Sequence, residues 1–140
     1  MNMDFLAHLN YLAIIVCMIV STLIGWLWYG PLFGKAWAKG MNMNMEMTPE
    51  KKKAAMRGYI WTLITSLITA FALAVIIHHL GIGTVRGAIM TGLTISIGFL
   101  ATSIISSSAF EQKPMTVVAI NVFYQIVNLI VLSLILTLWR

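Results

Sequence analysis

Four apolar stretches, at residues 12–33, 59–77, 88–106 and 117–139, divide the chain, and none of them contains an Asp, Glu, Lys or Arg. Each is close to the ~20 residues that a helix rising ~1.5 Å per residue needs to cross ~30 Å of hydrocarbon. A strand of a membrane barrel would instead alternate apolar and polar positions over roughly ten residues, whereas these runs are continuous. The pattern predicts an all-α protein, an integral membrane four-helix bundle, as a single transmembrane domain over 1–140. Two connections, Leu80-Gly81-Ile82-Gly83-Thr84 and Glu111-Gln112-Lys113-Pro114, are short and carry Gly or Pro. They predict antiparallel neighbours in up-and-down order.

The first connection, residues 34–57, is longer and holds its own start signal. Thr48 is a good N-cap and Pro49 suits the first helical position, where its missing N–H removes no bond. A helix beginning there and running into the second span would hold Lys51, Lys52, Lys53 and Arg57 among headgroups and water.

Composition sharpens the assignment. With 60% hydrophobic and 9% charged residues and a mean hydropathy of +0.92, the chain lies far from soluble domains, in which roughly a quarter of residues are charged. One small core cannot hide that much apolar surface, so a lipid bilayer is the first partner. No Lys or Arg precedes the first run, and a bulky aromatic stretch follows it instead of a small-residue cleavage site. It is therefore read as a retained helix. Lys35, Lys39, Lys51, Lys52, Lys53, Arg57 and Lys113 fall on one side of the bundle, against Arg86 and Arg140 on the other. Retention of positive charge in the cytoplasm predicts a multi-pass protein of the bacterial inner membrane, both termini outside and loop 34–57 cytoplasmic. Topology and anionic headgroups account for the net charge of +5, and no nucleic-acid partner is expected.

The end of the first run, Trp28-Tyr29-Gly30-Pro31-Leu32-Phe33-Gly34-Lys35-Ala36-Trp37, is the most distinctive string in the chain. Aromatic residues with one polar atom collect at headgroup depth, so an interfacial belt explains Trp28, Tyr29, Phe33 and Trp37. Pro31 disfavours helical geometry at Gly30 and removes a hydrogen bond, which predicts a bend or an end there and allows a shaped return toward the bundle. With Leu27 before it, the Thr-Pro-Glu helix start after it and three further spans, this string resembles the uncharacterised bacterial membrane proteins catalogued as domain of unknown function 1761. The resemblance covers essentially the whole chain and implies fold and location, with no activity attached. The methionine repeat is peculiar to this sequence.

Candidate chemistry is sparse. Asn121, Gln125 and Asn128 share one face of the last span, with Tyr124 beside them. Carboxamides are costly in hydrocarbon unless paired, so this face should turn inward or toward another subunit, as interhelical glue or as a polar pocket. Thr62, Thr65, Ser66 and Thr69 in span two, and Thr91, Thr94, Gly98 and Thr102 in span three, are its expected partners. Their hydroxyls can also bond their own helix carbonyls. His8, His78 and His79 gather near the outer face, but adjacent helical histidines point ~100° apart, which disfavours joint ligation of zinc or copper. Met41, Met43, Met45 and Met47 present alternating thioethers suited to Cu(I), or simply apolar ends for the interface. The lone Cys17 cannot form an intrachain disulfide and reads as a small buried side chain. No metal and no cofactor is assigned.

No Ser/His/Asp arrangement, phosphate-binding glycine loop or paired carboxylates can be assembled, because all four acids lie in the tail and loops. The first functional expectation is a non-enzymatic membrane component that oligomerises or docks on a membrane protein partner. The second is an uncoupled channel or carrier for a small neutral or amphiphilic solute, lined by Asn121, Gln125 and Asn128. Four-helix multidrug exporters of this size depend on a membrane-embedded Glu, which is missing here. The third, an enzyme acting on a lipid or quinone through His78, His79 and Tyr29, ranks last because those groups fall at opposite faces.

Overall fold

The computed structural model describes residues 2–44 and 46–139. Met45 of the thioether repeat and Arg140 of the charge asymmetry lie outside the described residues. A 3-10 turn at Met3–His8 leads into α1 (Tyr11–Leu27), which continues through a π-helical turn at Trp28–Leu32 and is followed by the short α2 (Gly34–Gly40). Next come α3 (Pro49–His79), then α4 (Val85–Ile95), a second π-helical stretch at Ser96–Ala101 and α5 (Thr102–Phe110), which together form span three, and finally α6 (Met115–Leu138). Four helical spans are long and apolar enough to cross a membrane: Tyr11–Leu32, Pro49–His79, Val85–Phe110 and Met115–Leu138. The second is longer than its apolar run because it starts at the Thr48 cap, whose hydroxyl accepts from the Lys51 N–H at 3.2 Å. Asn10 and Thr84 cap α1 and α4 in the same way, at 3.0 Å each.

Helix ends are also closed locally. At Asn42, Gly81 and Gln112 the backbone enters the left-handed region (φ 55°, 62° and 55°). The next residue donates back to the preceding turn in each case: Met43 to Ala38, Ile82 to Ile77 and Lys113 to Ser108, at 2.9–3.1 Å. Only Gly81 adopts that conformation without steric penalty; Asn42 tolerates it better than Gln112 does.

The packing core is a triad of α1, α3 and α6. Ala13, Ile14 and Cys17 meet Ala70, Leu73, Ala74 and Ile77, with Leu132 and Leu136 closing the third side. Span three joins from outside this triad by leaning on α6. Ala88, Gly92 and Ser96, four residues apart, are buried along it, and a Cβ at Gly92 would come within 2.8 Å of the Ile130 Cα. That approach is open only to glycine, and close backbone contact is what holds helices together in lipid. Up-and-down order is thus present, but one expectation needs correcting. The 80–84 turn joins spans that do not pack along their lengths; α6 is the element that both contact. Span three's strip of small residues faces α6, so α3 and span three are left splayed.

Outward surfaces carry large apolar side chains such as Leu23, Trp61, Phe99 and Phe110. A soluble monomer does not expose contiguous apolar area on this scale, whereas hydrocarbon accepts it.

Candidate functional site

A local departure from α-helical geometry positions the first part of the site. Pro31 lacks an N–H, and the chain answers by widening: the Phe33 N–H reaches the Trp28 carbonyl, five residues back, at 2.9 Å. Such π turns recur at functional sites because they re-aim side chains. Here the turn brings Trp28 and Tyr29 onto α6. The Trp28 indole N–H donates to the Ile120 carbonyl at 3.0 Å, and the Tyr29 hydroxyl donates to Asn121 Oδ1 at 2.8 Å. The Tyr29 ring stands edge-on to Trp37 (centroids 5.8 Å) and to Tyr124 (5.3 Å), while Phe33 lies 4.8 Å from Trp28. The Trp-Tyr-Gly-Pro string therefore makes a shaped return toward the bundle.

The α6 carboxamides divide into two kinds. Asn121 is bonded to Tyr29 and ties two spans together. Asn128, one to two turns further on, lies at the floor of a cavity of about 490 Å³ that opens where α3 and span three diverge. Ser66 and Thr69 of α3, Ile95 and Leu100 of span three, and Gln125 of α6 share its lining. Asn128 is only 5% exposed, and its Oδ1 has no hydrogen-bond partner. Gln125 likewise makes no side-chain hydrogen bond among the described residues. Three of the four hydroxyls expected as partners on α3 are engaged elsewhere, and Thr69 lines the cavity without bonding Asn128. Thr62 donates to the Gly58 carbonyl at 2.8 Å, Thr65 to that of Trp61 at 2.9 Å, and Ser66 to Ser21 at 3.2 Å. Ser133 and Thr137 also hold unpartnered buried hydroxyls, but these small rotors can turn to a carbonyl of their own helix. A carboxamide oxygen only accepts, and within a helix the backbone N–H groups are already bonded, so Asn128 Oδ1 has no such local outlet.

A second cavity, of about 540 Å³, lies toward the lysine-rich end. Five aromatic rings line it, Trp26, Tyr29, Trp37, Tyr59 and Tyr124, together with Gly25, Gly30 and Gly58. Thr62 and Tyr124 border both cavities, so the two are contiguous. Neither is lined by an acid, a base or a histidine among the described residues.

The remaining candidates are not brought together. Among the described residues no three His, Cys, Asp or Glu side chains are grouped to hold a metal ion. His78 and His79 diverge, with rings 6.1 Å apart at 72°, and Phe5 packs against both. His79 Nδ1 lies 3.1 Å from the Val75 carbonyl, and His8 shares only a cavity of about 80 Å³ with His78. Met43 and Met47 are exposed. Cys17 is buried, with its Sγ 3.9 Å from the Leu132 carbonyl. The proposed partner stripe of span three points elsewhere: Thr94 and Thr102 are exposed and bond to the Met90 and Gly98 carbonyls of their own helix. Sequence reasoning missed Gly58, which leaves the aromatic cavity open, and Gly92, which sets span three on α6. Spacing of four small residues at Ala88, Gly92 and Ser96 was the available signal.

Comparison with known proteins gives one positive result: the family described as protein of unknown function (DUF1761) matches residues 12–137. None of the curated proteins and none of the solved structures matches the chain.

Proposed function

The chain belongs to this family, whose description carries no activity, and we propose from its own geometry that it is a non-catalytic membrane protein that binds a small uncharged amphiphile in its lateral cleft. The observation that carries the reading is Asn128: a carboxamide within the last span, nineteen-twentieths buried, with an acceptor that none of the described residues satisfies. An unmet buried polar atom costs about 1–3 kcal/mol, and such groups persist where a ligand completes them. The cleft also has the size and mixed lining of a ligand pocket, mostly apolar with few polar groups. Two π-helical turns border it, one holding Tyr29 and the other Leu100. Among the described residues the cleft is lined by tyrosines, carboxamides and hydroxyls and by no Asp, Glu, Lys, Arg or His, a lining that suits an uncharged solute. Of the readings open from sequence, the carrier or binder of a neutral solute is favoured over docking alone, and a lipid- or quinone-modifying enzyme lacks an acid–base pair there.

We place the protein in a bacterial inner membrane with both termini outside and residues 34–57 in the cytoplasm, a reading supported by the basic residues clustered at one end. The lateral cleft is then reached from within the bilayer, and its aromatic end lies at the cytoplasmic boundary.

N-phenyl-1-naphthylamine, uncharged and able to accept excitation from tryptophan, tests the binding reading in lipid nanodiscs. Trp26 and Trp37 line the aromatic cavity, so saturable energy transfer is expected from the intact protein and a strongly weakened response from Asn128→Leu. Transfer that only rises linearly with dye, as for dye dissolved in lipid, would refute it. A second reading, oligomerisation through the same cleft, is favoured by the splay of α3 from span three. It predicts that crosslinked copies appear and the dye is excluded.

A further inference from the structure

Resting on the binding reading, we infer that the two contiguous cavities form one site for an uncharged ring-bearing molecule with a hydroxyl or amide arm: its ring occupies the aromatic compartment and its arm reaches Asn128 and Gln125.

The two compartments offer different chemistry. In the aromatic one three of the lining hydroxyls are engaged within the protein: Tyr29 donates to Asn121, Thr22 to the Met18 carbonyl and Thr62 to the Gly58 carbonyl. What remains is ring surface and the N–H and O–H groups that those rings carry. Its open volume exists because three of its lining residues are glycines. A Cβ built at Gly30 or Gly58 would meet nothing within 4 Å, whereas one at Gly25 would touch the Tyr124 hydroxyl at 3.3 Å. Recognition there is by aromatic packing against five rings. The inner compartment reverses this, with uncommitted carboxamides on a largely apolar wall.

Tyr124 borders both, and Asn128 follows it one helical turn later, so the arm's polar atom must sit about 6 Å from the ring along α6. A two-carbon arm on a fused bicyclic ring covers that distance. The acceptor left open at Asn128 asks for a donor, which a hydroxyl or amide supplies and a hydrocarbon does not.

Competition against N-phenyl-1-naphthylamine in nanodiscs tests this with 2-(2-naphthyl)ethanol and its hydroxyl-free counterpart 2-ethylnaphthalene, each corrected for partition into protein-free nanodiscs. The alcohol should displace the dye about tenfold more effectively, a difference that one hydrogen bond to a buried amide supplies. In Asn128→Leu, where each compound's own partition into protein-bearing over protein-free nanodiscs replaces dye displacement, the difference between the two should vanish. Gly58→Leu, which projects into empty space and leaves packing intact, should weaken both competitors, so the inference stays testable even if the Asn128 variant folds poorly. Equal displacement by the two compounds in the intact protein, or unchanged binding of both in Gly58→Leu, would overturn the two-compartment assignment while leaving a binding cleft. Absence of any saturable dye binding would overturn the underlying reading as well.

Discussion

Replacing Gly92 by alanine adds one methyl group where the structure leaves no room for it. Its Cβ would stand 2.8 Å from the Ile130 Cα and 2.9 Å from the Ile130 nitrogen and the Leu129 carbonyl oxygen. Carbon pairs rest at ~3.5–4.0 Å, so α4 must retreat from α6 by about 1 Å, and a gap of that size forfeits up to about half of each neighbouring dispersion contact. No side chain can rotate away, because the obstacle is backbone. Overpacking of this kind costs about 1–3 kcal/mol, against which alanine returns up to ~1 kcal/mol of helix propensity. Gly98, six residues on in the same span, is the control, since a Cβ there meets nothing within 4 Å. Gly98→Ala should be neutral or slightly stabilising, so the two variants should differ by about 2 kcal/mol, roughly thirtyfold in the unfolding equilibrium. Titration with SDS in mixed micelles, followed by circular dichroism, measures the difference. Gly92→Ala proving as stable as Gly98→Ala would refute the close α4–α6 contact, and with it the splay that opens the cleft.

Tyr29→Phe should lower stability by about 0.6–2 kcal/mol by leaving Asn121 without its donor; a double-mutant cycle with Asn121→Ala that shows no coupling would contradict that bond. A cysteine introduced at Lys52, in a background with Cys17→Ala, should react with an impermeant maleimide only after the cytoplasmic side is opened. Labelling from outside would invert the proposed orientation.

Most of the bundle was legible because its cause is local in the sequence. Uncharged runs long enough to span hydrocarbon, the Thr48-Pro49 start and the Gly81 turn each act through neighbouring residues, and each is found where the pattern puts it. Which spans touch was not legible, since a short turn constrains only the ends of two helices. The decisive contact comes from Gly92, whose four-residue spacing from Ala88 and Ser96 is matched on sequence by that of Gly98 from Thr94 and Thr102, so the spacing alone does not choose between them. The carboxamides of α6 were legible only as a spacing. Their different fates depended on Tyr29 reaching Asn121, which required the π turn at Pro31, and on span three leaning away from α3 beside Asn128. Both are tertiary facts.

The stability of Asn128→Leu separates a ligand site from interhelical glue most directly. If the amide is an unmet polar group in an open cleft, leucine relieves its desolvation and has room to fit, so the folded bundle should gain about 1 kcal/mol in SDS titration while saturable dye binding is lost. A fall in stability of similar size, with dye binding retained, would mean that Asn128 is already paired in the native protein and takes no part in binding.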